Sequence, residues 1–140
     1  MFDPVKYLQC LRDNDYTLNP FLGFMGIRCE EISHGYARFC LDVKPEFLQG
    51  AGWVQGGILV ALADETIAHA IMTVLEKNEG LTTVSLKSDF LKSVSRGSLI
   101  AEASIFKKGK TIVLADCLVR NEGGDNILRC AETFLLMKME

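Results

Sequence analysis

An α+β fold is predicted for this chain, with one long buried helix wrapped by an antiparallel sheet of five or six strands. Three features carry that expectation. Midway along, ILVALADETIAHAIMTVLEKN opens on an apolar run at 58–63 and shows no strand alternation. Its length, about 20 residues, favours helix over strand, and a helix that is apolar all round is a buried one. Two strand-like runs precede it and four follow it, separated by short turns rich in glycine and lysine. At 140 residues and 49% hydrophobic, the chain suits one domain over 1–140 with its own core. Residues 1–22 read as an N-terminal helical extension.

The elements follow in order. Asp3-Pro4 starts a short helix with Val5, Leu8 and Leu11 at helical spacing, ending near Asn14. Asn19-Pro20 begins a further turn or short helix. Residues 24–33 and 36–43 read as two strands joined at His34-Gly35. In the second, Ala37, Phe39, Leu41 and Val43 alternate with Arg38, Cys40 and Asp42. Gln49-Gly50-Ala51-Gly52 is a glycine-rich loop, and Gly56-Gly57 opens the long helix. Lys77, Asn78 and Gly80 supply its stop. Residues 81–91, 98–107, 111–121 and 127–137 are then expected as a four-stranded meander.

Composition narrows the function classes. The net charge of −3 argues against nucleic-acid binding. Five cysteines (Cys10, Cys29, Cys40, Cys117 and Cys130) form no CxxC pair, and His34 and His69 show no ligand spacing with them. No metal or cofactor is expected, and the cysteines suit a reducing cytoplasm. The first 15 residues are too polar for a signal peptide. The run at 58–63 is far too short to span a membrane. GxSxG, GxxxxGK[ST] and GxGxxG after a strand are all absent.

The anomaly is acid in the long helix. Asp64 and Glu65 lie midway along it, where an unpaired buried charge is costly, so each either faces solvent at an edge or serves a function. Asp64 is seven residues after Gly57, nearly two turns, so the two share a face. Gly57 stands at the helix start, where free N–H groups and the dipole favour an oxyanion. A carboxylate and an oxyanion donor are what acyl transfer to water requires. Glu65 and His69, four apart, suit either an acid–base pair or, more commonly, an ordinary helical pair. His34 reads as a turn residue. Lys92 with Arg96, and Lys107 with Lys108 and Lys110, are solvated turns or point charges for ligand phosphates. Phe21, Phe24, Phe47, Trp53 and Phe90 are core residues or the lining of an apolar pocket.

The segment GAGWVQGGILVALADETIAHA resembles one in PaaI-like hotdog-fold acyl-CoA thioesterases. There it usually reads Asn-Gly-x-Gly-x-x-His-Gly-Gly, with Asp in the following helix. Here it is Gln49-Gly50-Ala51-Gly52-Trp53-Val54-Gln55-Gly56-Gly57, with Asp64 in register. TVSLKSDFLKSVSRGSLIAEASIFKKGKTIVLADCLVRNEGG is similar to the family's sheet, and the resemblance runs from Gly23 to Met137.

The resemblance implies the hotdog fold and hydrolysis of an acyl-CoA thioester. It implies a homodimer with active sites at the interface, often paired into a homotetramer. Asp64 matches the general base or nucleophile. Gly57 matches the glycine whose N–H polarises the carbonyl, presented by the partner, with Gly56 beside it in the acyl-CoA site. Gln49 stands where an Asn positions water or thioester. Thr83, or Thr82, matches an assisting hydroxyl. Lys92, Arg96 and Lys108 are the candidates for the CoA phosphates. Gln55 departs from the usual histidine; it hydrogen-bonds but does not titrate near neutrality. That departure leaves open an acyl-CoA-binding protein without turnover. A hydratase of enoyl thioesters is a third reading, for which His69 is a poor candidate.

Overall fold

The computed structural model describes residues 2–140. Helix α1 spans Pro4–Arg12, with the Asp3 carboxylate accepting the N–H groups of Val5 and Lys6. Helix α2 spans Pro20–Met25, capped by Asn19 and closed by Gly26 at φ 77°. Phe24 and Met25 therefore belong to a helix, not to the strand expected over 24–33, because the αL turn at Gly26 separates them from it. Strands β1 (Ile27–Ser33) and β2 (Tyr36–Asp42) form a hairpin.

Helix α3 spans Gly56–Met72. It ends earlier than the Lys77-Asn78 stop expected from sequence. The Thr73 hydroxyl donates to the Ala70 carbonyl and accepts from Gly35 N–H, both at 2.7 Å. Those bonds pin the helix end to the β1–β2 turn.

Strands β3 (Glu79–Phe90), β4 (Ser98–Lys108), β5 (Ile112–Asn121) and β6 (Asn126–Lys138) complete a six-stranded antiparallel sheet in the order β1-β2-β4-β5-β6-β3. The expected four-stranded meander is corrected here: β4, β5 and β6 form one, but β3 pairs with β6. The segment 91–97 is a crossover along one sheet end rather than a hairpin turn. Val94 accepts from Val54 N–H at 2.8 Å, and Gly97 accepts from Val43 N–H at 2.9 Å. Strand β3 is thus an edge.

The arrangement is the hotdog fold, a long helix wrapped by its sheet. Helix α3 packs mainly on β4, β2 and β5. Ala101, Ala103 and Ala115 leave room there for Leu62, Ile67 and Ile71, all fully buried. Truncating one of these to alanine removes about 2–5 kcal/mol. Among the described residues, no helix is long and apolar enough to cross a membrane.

The N-terminal helices dock on α3 through a buried polar chain. His69 is 1% exposed. Its Nδ1 bonds the Glu65 carbonyl, so Nε2 accepts from the Tyr7 hydroxyl at 2.7 Å. Tyr7 in turn accepts from Asn19 Nδ2 at 2.8 Å, and the same amide reaches Glu65 Oε2 at 3.3 Å. Glu65 and His69 thus serve as the anchor for α1 and α2.

Burial lowers the His69 pKa from 6.5 to about 4. The ring is neutral when folded and protonates on unfolding, so its contribution is full above pH 6.5 and is lost as pH falls towards 4. Chemical denaturation of wild type and His69→Gln should therefore diverge. Between neutral pH and about pH 4, the wild type is expected to lose on the order of 2–3 kcal/mol more than the variant. Equal losses would mean that the folded ring accepts the proton.

Candidate functional site

The start of α3 is held from two sides. Gln55 N–H donates to Phe47 O, and Val54 N–H to Val94 O, both at 2.8 Å. The preceding loop is a tight turn. Gln49 N–H donates to Trp53 O at 2.8 Å, Gly52 N–H to Gln49 O at 2.9 Å, and the Gln49 side-chain oxygen accepts from Ala51 N–H. Gln49 therefore braces its own loop and has its amide NH2 left for other contacts.

Gln55 is the N-cap but makes no side-chain capping bond. The first N–H groups of α3, at Gly56 and Gly57, thus lack both a helical and a side-chain acceptor. Both glycines answer to close neighbours. A Cβ on Gly56 would lie 2.9 Å from the Phe90 ring, and one on Gly57 would lie 2.7 Å from Gln55 Oε1. A cleft of about 310 Å³ opens beside this helix end, lined by Gln49, Trp53, Gly56, Leu59, Phe90 and Lys92 among others. Of the expected aromatic residues, Trp53 and Phe90 reach the cleft. Phe47 is in the core, and Phe21 and Phe24 are exposed on α2.

Asp64 is half-buried, on the flank of α3 that meets β6. Opposite it stands Glu132, a residue absent from the sequence candidates and only 3% exposed. Glu132 Oε1 faces Cys130 Sγ at 3.6 Å, and Oε2 has no partner. Burial, together with the adjoining Asp64 carboxyl, pushes the Glu132 pKa up to about 8. A signal was present in LRCAETF. Strand alternation puts Glu132 on the face of Leu128, Cys130 and Phe134, all inward and apolar.

Register also separates the two threonines. Thr83 pairs with Phe134, whose side chain is buried under α3, whereas Thr82 pairs with Leu135 on the other face. Thr83 is the one on the helix side. Of the cations, Lys92 borders the cleft and is bonded to Asp125 at 2.7 Å. Arg96 is exposed on the crossover. Lys108 lies beyond the far end of α3, bound to Glu79 at 3.2 Å and near Glu76 at 4.0 Å. Within one chain it is not brought to Gly57. Among the described residues, no His, Cys, Asp or Glu cluster could hold a metal.

The chain matches the sequence pattern of the thioesterase superfamily over residues 51–128, which contain Gly56, Gly57, Asp64 and Thr83. A candidate esterase of Halobacterium salinarum is 31% identical over 103 residues, covering 70% of this chain and 68% of the relative. One of Saccharolobus solfataricus is 24% identical over 124 residues, covering 89% and 86%. Among solved structures, a thioesterase of Haemophilus influenzae superposes with TM-score 0.83 at 19% identity, covering 99% of this chain and 93% of that one. A mutant thioesterase of Pseudomonas aeruginosa gives 0.85 at 19%, covering 94% of each. At these identities, the structural likeness shows the fold.

The glycine geometry has a testable consequence. In Gly57→Ala the new Cβ meets the movable end of Gln55, and alanine is the better helix former. Thermal melts should show a stability change below about 1 kcal/mol. A loss of several kcal/mol would mean that the Gln55 amide is fixed in place.

Proposed function

Because the chain belongs to the thioesterase superfamily, we propose that it hydrolyses the thioester of a small, aryl or medium-chain acyl-CoA to free acid and CoA. The observation that carries this reading is that α3 bears both a half-buried carboxylate, Asp64, and uncapped N–H groups at its start, at Gly57. A thioester is weakly resonance-stabilised. Polarising its carbonyl and aiming a water at it therefore suffice.

Asp64 takes a proton from water, and the water oxygen bonds to the carbonyl carbon. The carbonyl oxygen becomes an oxyanion held by Gly57 N–H. On collapse the C–S bond breaks, and the thiolate leaves with the proton returned by Asp64. Gln49 and Gln55 line the path of the water and thioester, and Thr83 adds a hydroxyl from β3. Lys92 and Arg96 sit on the crossover where CoA phosphates would be met by point charges.

A homodimer is the minimal unit in this reading. Strand β3 offers twelve residues of unpaired edge, with Val84 61% and Phe90 60% exposed. Long apolar edges of this kind are normally covered. Pairing β3 with its copy about a two-fold axis would join the sheets and set the two α3 helices side by side. Asp64 of one protomer then faces Gly57 of the other, and two such dimers form a tetramer. The five free thiols suit the cytoplasm.

The alternative, an acyl-CoA-binding protein without turnover, is favoured by one feature, the Gln55 amide folded over Gly57. Thiol release from a panel of short, aryl and longer acyl-CoAs separates the two. Asp64→Asn is expected to lower kcat by at least about 100-fold with the melting curve retained. Full activity of that variant would remove Asp64 from the mechanism. Val84→Lys places a charge on the β3 edge. It should give a folded monomer by sedimentation, with thiol release lost; an active monomer would refute the shared site.

A further inference from the structure

Glu132 is a buried acid for which the hydrolytic mechanism above has no use. It lies on β6 beneath α3. The titratable groups facing it are Asp64 from α3, Cys130 on its own strand and Cys117 from β5. Strand β3 contributes Leu86 directly opposite, and the Ser88 hydroxyl opposite Cys130. No lysine, arginine or histidine among the described residues forms an ion pair with it. Both thiols are held neutral by burial. Two carboxyl groups side by side in such surroundings cannot both ionise, so they keep one proton between them. Glu132 is the drier of the two, and the proton resides there. Its Oε2, without any other partner, is then the O–H that Asp64 can accept.

We propose that Glu132 is a positioning residue, which shares one proton with Asp64 and holds that carboxylate in a single orientation toward the thioester. The positioning role rests on the hydrolase reading, whereas the shared proton does not. One oxygen of Asp64 accepts from Glu132, and the other is left to face the water. Loss of the proton at high pH would set two anions against each other and turn Asp64 away.

Steady-state thiol release from an acyl-CoA tests the positioning role. Glu132→Ala is expected to lower kcat by about 10- to 100-fold with KM little changed, as for a misplaced reacting group. Glu132→Gln, which still donates to Asp64, should recover most of that loss. Wild-type kcat should fall as pH rises through about 8, and the fall should vanish in Glu132→Gln. Full kcat in Glu132→Ala, or the same alkaline fall in Glu132→Gln, would overturn the role.

Carbon-13 titration of the carboxyl groups tests the shared proton without any substrate. The Glu132 signal should titrate well above the ordinary glutamate range in wild type and return toward it in Asp64→Asn. An ordinary titration in wild type overturns the pairing, whether or not thioesters are cleaved. Coupled titration in a protein that releases no thiol sinks the hydrolase reading and the positioning role with it, while the shared proton stands.

Discussion

Two carboxyl groups meet where α3 packs on β6, and the rest of the molecule follows from how that meeting is tolerated. Glu132 is closed off by the sheet and has no counter-ion, so it stays protonated well above the pH at which a free glutamate ionises. Asp64 lies partly open on the flank of the helix. An apolar helix carrying an acid this way is stable only if its rotation is fixed. A turn of the helix in one direction would bury a bare charge, and in the other would waste the proton donor.

Three contacts fix that rotation. The crossover and the loop after β2 clasp the first turn, through Val94 and Phe47. Thr73 ties the last turn to Gly35. Midway, His69 takes the Tyr7 hydroxyl, and Asn19 bridges Tyr7 to Glu65. Glu65, His69 and Thr73 follow at four-residue spacing along one side of α3, and Asp64 stands on another. The two acids that are adjacent in sequence therefore have different duties. Glu65 holds the N-terminal helices, and Asp64 is free for chemistry. The same clasp leaves Gly56 and Gly57 with uncapped N–H groups, with Gly56 in the wall of the cleft.

Much of this was legible in the sequence, and the exceptions have physical causes. Helix α3 was readable because its alanines and leucines show no alternation, and Asp64 because an acid breaks that apolar surface. The place of β3 was not readable. The segment 91–97 has the composition of a hairpin turn, and it is the pairing of β3 with β6, with Val94 and Gly97 bonded to Val54 and Val43, that shows it crosses the sheet end instead. The end of α2 was hidden because Phe24 and Met25 are as apolar as a strand, and the αL conformation at Gly26 is what divides them from β1. Glu132 escaped notice because a glutamate in a strand is normally assigned to the outer face. Its phase with Leu128, Cys130 and Phe134 was available, but phase alone does not say which acid waits across the gap.

The site divides between two chains in this account, with Asp64 from one protomer and Gly57 from its partner. A mixed dimer tests that division most directly. One protomer carries Asp64→Asn and the other Gly57→Pro, so that each homodimer has two damaged sites. In the heterodimer one site would combine the intact Asp64 with the intact Gly57, and the other would carry both defects. Thiol release from the purified heterodimer should recover to about half that of the wild type. Recovery no greater than that of either damaged homodimer would contradict a site shared between subunits.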